Sequence, residues 1–192
     1  MTTTKRALLI VVLMVFATSA LAGNARHRKG IFLGLNAGWG SASFHSKLAG
    51  TTISEDAFPG AAGGLRFGYA FSNSFGLSLE GVGFGSGEGD TNWGLASTFV
   101  TVTWWPDGSG FFLRVGAGGG EGDVLRRGTG ELVHFEDAGA GRFGLGYEWQ
   151  LGRTFALGVA ADGIGFDLQD ASDLLENAVG LGTFTIQFNW YL

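Results

Sequence analysis

The chain ends on Phe184-Thr-Ile-Gln-Phe-Asn-Trp-Tyr-Leu192, and no other segment constrains the fold as strongly. Leu192, Trp190, Phe188, Ile186 and Phe184 alternate with Tyr191, Asn189, Gln187, Thr185 and Thr183. A period of two puts the first set on one face of a β-strand and the second set on the other. One face is apolar and rich in aromatic residues, the opposite face is polar, and the pattern runs to the last residue.

The N-terminus points to export. Lys5-Arg6 forms a charged start, Ala7 to Ala17 an apolar run, and Ala20-Leu21-Ala22 a small-residue cleavage site. This is the pattern of a secretory signal peptide occupying residues 1–22, cleaved after Ala22, with residues 23–192 as one mature domain. The apolar run is shorter than the ~20 residues of a membrane-spanning helix. Without cysteine the chain can form neither disulfide nor thiolate metal site. Loss of Lys5 and Arg6 leaves 10 basic against 17 acidic residues, a mature net charge of -7. Nucleic acid is therefore not an expected partner, because binding phosphates needs a basic surface. The 36 glycines would suit a disordered chain, but 14% aromatic and 45% apolar residues would not.

Strand patterns recur along the mature chain at 30–40, 60–71, 75–85, 93–105, 111–119, 138–149, 154–166 and 178–192. The gaps at 72–74, 106–110 and 150–153 are short turns, while those at 41–59, 86–92, 120–137 and 167–177 are mostly longer. An even strand number, with short turns at one end and longer loops at the other, predicts an all-β, eight-stranded antiparallel up-and-down transmembrane barrel. Both termini then lie at the short-turn, periplasmic end. Each strand is near the ~9–11 residues that a tilted strand needs to cross a bilayer.

Charge fixes which face looks inward. Leu65, Phe67, Tyr69 and Phe71 oppose Arg66; Phe111, Leu113 and Val115 oppose Arg114; Phe143, Leu145, Tyr147 and Trp149 oppose Arg142 and Glu148. An arginine facing lipid at mid-bilayer costs ~2–4 kcal/mol. Three of them would cost on the order of 10 kcal/mol, comparable with the stability of a whole domain. A one-residue slip inverts every face, so the arginines are predicted inside. Glycine then supplies small neighbours for large inward side chains, since eight strands leave an interior just wide enough for side chains. Two segments fit less simply. Glu80 shares its phase with Val82 and Phe84, which predicts a bulge at Gly81. Leu95 to Trp105 carries Thr or Val on both faces, and its parity stays open. Hairpin-like repeats also occur, Val82 to Asp90 matching Val115 to Asp123.

Inward charges are the only candidate chemistry of the barrel body. Arg66 and Glu80 are symmetric about Asn73, and Arg142 and Asp162 about Gly152, so each pair should face across its hairpin. With Arg114 and Glu148 they make up an expected interior polar network, either mutually satisfying or forming a polar path. Removing Arg66 should leave Glu80 unpaired. The expected loops carry an acidic excess, and Glu88/Asp90 with Glu121/Asp123 are the candidate Ca²⁺ or Mg²⁺ ligands. They lack the ligand order of an EF-hand, so no cofactor or resident metal is otherwise expected. His27, His45 and His134 have no metal-ligand spacing. No catalytic residues are assigned: His45-Ser46 is the nearest approach to a base and nucleophile, and neighbours on a strand diverge.

Signal peptide, strand count, alternation and the aromatic terminal strand together resemble the small outer-membrane barrels of the OmpA transmembrane-domain, OmpX and OmpW type. The resemblance implies an integral outer-membrane protein of a Gram-negative cell, inserted by the barrel assembly machinery and surrounded by outer-membrane lipid and lipopolysaccharide. Such barrels include structural and adhesive proteins, narrow porin-like channels and a few lipid A-modifying enzymes. A non-enzymatic structural or surface-interaction barrel with a plugged polar interior is the first expectation. A narrow channel for ions or small apolar compounds is the second, and a lipid A-modifying enzyme the third.

Overall fold

The computed structural model describes residues 28–48, 51–54, 58–87, 91–126, 131–169 and 175–192. Its strands are β1 (Gly30–Leu48), β2 (Thr51–Ser54), β3 (Phe58–Ala70), β4 (Phe75–Ser86), β5 (Thr91–Trp104), β6 (Phe111–Arg126), β7 (Glu131–Gln150), β8 (Phe155–Gln169) and β9 (Leu175–Tyr191). Each long strand pairs antiparallel with the next, and β9 returns to β1, with Leu35 opposite Phe188. The result is a closed eight-stranded barrel. The short β2 only extends the far end of β1, through pairs such as His45 with Ser54. Closure leaves no open sheet edge among the eight. The Leu192 amide donates to the Ile31 carbonyl at 2.8 Å, so the C-terminus lies at the short-turn end beside the start of β1.

Strands run further at the end opposite the turns than alternation alone suggests. β1 continues to Leu48, β6 to Arg126, and β7 begins at Glu131. Segments expected as loops are therefore partly ladder, and Glu121 and Asp123 stand on β6. Charged and polar residues such as Lys47, Glu121, Asp123, Arg126 and Glu131 interrupt the apolar alternation of these outer extensions while leaving backbone pairing intact. The parity of β5 is settled with Leu95, Ser97, Phe99, Thr101 and Thr103 inside, and Val100, Val102 and Trp104 outside.

No bulge occurs at Gly81. Arg66 pairs with Glu80, Leu65 with Gly81 and Gly64 with Val82 without interruption. Glu80, Val82 and Phe84 all point inward because the interior changes character along its length. Near the short turns it is charged; further out it holds Val82, Phe84, Leu95, Phe99, Ile164, Phe166, Val179 and Leu181, all buried together. The expected bulge assumed one polarity for the whole interior. The register shift falls instead between Gly120 and Gly122, against β7.

The outer wall changes at the same level. Its short-turn half carries Leu33, Phe67, Leu79, Phe143, Ile186 and other exposed apolar residues. Aromatic pairs ring its lower rim: Phe75 with Trp104, Tyr147 with Trp149, and Phe155 with Trp190, with ring centres 5.0–6.4 Å apart. Such a girdle sits where hydrocarbon meets headgroups. Further out, Gly81, Gly94, Gly139, Gly141, Gly163, Gly165 and Gly182 look outward, and a Cβ on any of them would meet nothing within 4 Å. Glycine here therefore has two roles, and only one of them makes room inside. At Gly144 a Cβ would collide with Asp162 Oδ1 and come 2.9 Å from Arg114 Nε. Gly144→Ala is expected to lower stability by about 1–3 kcal/mol, as overpacking does. Gly141→Ala should be neutral or slightly favourable in the same urea titration, since glycine weakens a strand. Equal losses in the two variants would refute this division.

Candidate functional site

The charged layer is built by alternate residues of β3, β4, β6, β7 and β8, with Arg66, Arg114, Arg142, Glu80 and Asp162 all buried. Glu80 is its hub. Oε1 lies 3.1 Å from Arg66 Nη2, and Oε2 lies 2.6 Å from Arg142 Nη1 and 3.8 Å from Arg114 Nη1. The Ser78 hydroxyl donates to Oε1 at 2.7 Å. Asp162 receives a two-pronged contact from Arg114, through Nε at 2.6 Å and through Nη2. It also accepts from Arg142 Nε at 3.1 Å. With its amide turned so that oxygen faces the guanidinium, Gln187 accepts from Arg114 Nη2 at 2.9 Å and Nη1 at 3.0 Å. Forked geometry of this kind lets arginine satisfy buried carboxylates that a point charge would leave half-bonded.

The structure brings Arg66 and Glu80 together as register partners. Arg142 and Asp162 meet too, but not as partners: Arg142 lies opposite Ile164, and Asp162 opposite Gly144. Hairpin symmetry is displaced because the β7–β8 turn is not centred on Gly152, and the long Arg142 side chain closes the diagonal. The expectation that Glu80 depends on Arg66 alone is also corrected, since Arg142 and Arg114 reach it as well. Glu148 stands apart from this cluster. It accepts from Asn189 Nδ2 at 2.8 Å and from the Tyr191 hydroxyl at 2.9 Å. Its charged partner is Arg28, whose Nε lies 2.9 Å from Glu148 Oε1. Arg28 precedes the first strand, where no alternation marks it, so the sequence gives no sign of its role.

Each of these arginines also lies against an aromatic ring. Arg28 sits 4.9 Å from the Trp105 ring centre, Arg66 5.0 Å from Phe32, Arg114 5.6 Å from Phe112 and Arg142 5.8 Å from Phe99. Flat stacking and a permanent charge favour arginine over lysine in such positions. The inward phase of Phe112 was legible beside Arg114, whereas that of Phe99 on β5 was open in the sequence, as was the pairing of these rings with arginines across strands.

Of the candidate metal ligands, the structure describes Glu121 and Asp123. Glu121 and Asp123 are exposed on the outer wall, and Glu88 and Asp90 lie outside the described residues. Asp123 Oδ1 is 2.5 Å from His134 Nδ1, its register partner on β7. Among the described residues no group of three His, Asp or Glu side chains could hold a metal ion. His45 and Ser46 are successive positions on β1, paired with Ser54 and Ile53. The expected signal peptide lies outside the described residues.

No family model matches the chain, and no curated protein matches it in sequence. Solved structures do match in shape. Neisserial surface protein A aligns with a TM-score of 0.57 at 12% identity, over 85% of this chain and 98% of that one. This is the fold of the small outer-membrane β-barrels. Ail, the attachment invasion locus protein of Yersinia pestis, aligns over 84% of this chain and 99% of its own at 15% identity, with a TM-score of 0.48. The outer membrane protein OprG of Pseudomonas aeruginosa covers 86% and 97% at 16% identity and a TM-score of 0.42. At such identities the likeness concerns the barrel and not what each one does.

Proposed function

We propose that this protein resides in the bacterial outer membrane as a closed, non-enzymatic barrel whose role is structural or surface-presenting. Its signal peptide is removed after Ala22, its short turns and termini face the periplasm, and its far end faces outward among lipopolysaccharide. The observation that carries this reading is the interior. A charged layer around Glu80 and an apolar layer around Phe99 lie in series along the barrel, and both are filled by side chains. An eight-stranded barrel has little other space through which a solute could pass.

One feature favours the channel reading. Arg66 Nε, Thr101 Oγ1, Thr185 Oγ1 and Asn189 Oδ1 are buried without a hydrogen-bond partner. Buried polar atoms of this kind are commonly satisfied by internal water. A wet polar layer could serve as part of a path if the apolar layer above it opened. Conductance decides between them. Purified protein in planar bilayers is expected to leave the baseline flat, and steady discrete openings would overturn the closed reading. Lipid A from expressing cells should keep its mass, whereas loss or gain of an acyl chain would establish an enzyme.

A further inference from the structure

Arg28 is fully buried, although it lies before the first strand and contributes nothing to closing the sheet. Its guanidinium is ringed by oxygens from separate segments. Nε donates to Glu148 at 2.9 Å, Nη2 to the Ser109 carbonyl at 2.8 Å, and Nη1 to the carbonyls of Asn73 and Gly108 at 3.2 Å each. The backbone amide of Arg28 donates to Asn73 Oδ1 at 3.1 Å, and the plane of the side chain lies over Trp105. Arg28 starts at the β1–β9 seam, while Gly108 and Ser109 belong to the β5–β6 turn, halfway round the sheet order. The side chain therefore crosses the mouth.

The ring of acceptors is held in place without Arg28. Glu148 is oriented by Asn189 and Tyr191, and its amide donates to the Gly110 carbonyl at 2.8 Å. The Trp105 amide donates to the Ser74 carbonyl at 2.8 Å, tying the two turns together. Left-handed backbone at Asp107 (φ 53°) and Gly108 (φ 64°) shapes the β5–β6 turn that carries two of the carbonyls. We propose that the short-turn mouth is a built guanidinium-binding site whose resident ligand is the chain's own Arg28, which fastens the start of β1 to the mouth and shields Glu148. Acceptors spread around a plane, above an aromatic ring, select a fork of N–H donors over an ammonium.

Chemical rescue tests this, and does so whether or not the barrel conducts. Full-length Arg28→Ala should lose several degrees in its heat-induced gel shift and expose Trp105 to acrylamide. The added quenching should vanish when Trp105→Phe is combined with it. Millimolar methylguanidinium should restore both readouts by mass action, and methylammonium should not. Arg28→Lys should behave like Arg28→Ala. If Arg28→Ala does not fold alone, its folding yield with methylguanidinium against methylammonium reads the same preference. Wild-type behaviour in Arg28→Ala, full function of Arg28→Lys, or equal rescue by the two cations would overturn the site.

Discussion

Glu80→Ala is expected to destabilise the barrel by about 3–5 kcal/mol, the range found when one member of a buried ionic network is removed. Three guanidinium groups converge on this carboxylate, from Arg66, Arg142 and Arg114. Without it, Asp162 alone remains to balance all three. Arg66 would keep only Thr103, 3.3 Å from its Nη2, and the face of Phe32. Arg66→Ala should cost less, because Glu80 retains Arg142, Arg114 and Ser78. Combining the two should recover part of the loss, since the unpaired Arg66 is removed with its partner. Urea titrations of the refolded protein would measure all three. A loss below about 1 kcal/mol for Glu80→Ala, the scale of an exposed pair, would show that the layer is hydrated enough to screen its charges.

What the sequence revealed follows from which forces act on local pattern. The eight-strand count, the antiparallel closure and the inward arginines came from alternation and from the cost of placing Arg66, Arg114 and Arg142 in lipid. The half of each strand beyond the apolar belt was legible only in part. There Glu131, His134, Glu136 and Asp137, and on β8 Asp167 and Gln169, read as loop residues although the strands continue through them, so β7 begins before and β8 runs past its expected bound. Val82 and Phe84 share the phase of Glu80 and suggested a bulge only because both faces change composition midway, which a single inside–outside rule cannot describe. Arg28 was invisible for another reason. Its partners come from two turns and β7, and only the closed barrel brings them together. Long-range closure also explains why Arg142 reaches Asp162 diagonally, through a register that turn symmetry misplaced.

Phe99→Ala is the complementary experiment, because Phe99 joins the two interior layers. Its ring is fully buried among the apolar residues that include Leu95 and Phe166, and the Arg142 guanidinium lies 5.8 Å from its centre. Truncation should cost about 3–5 kcal/mol, as for other buried aromatic rings in rigid surroundings. The barrel wall cannot collapse onto the gap, since its circumference is fixed by the hydrogen-bonded ladder. Stability and closure should nevertheless separate. The layer of Glu80, Asp162 and three arginines lies next to the gap and remains intact, so bilayer currents should stay flat while the urea midpoint falls. Currents appearing in Phe99→Ala alone would mean that the charged layer already passes ions and that the apolar layer is the only seal. In that case the wet polar atoms around Arg66 would mark a pathway, and the channel reading would replace the closed one.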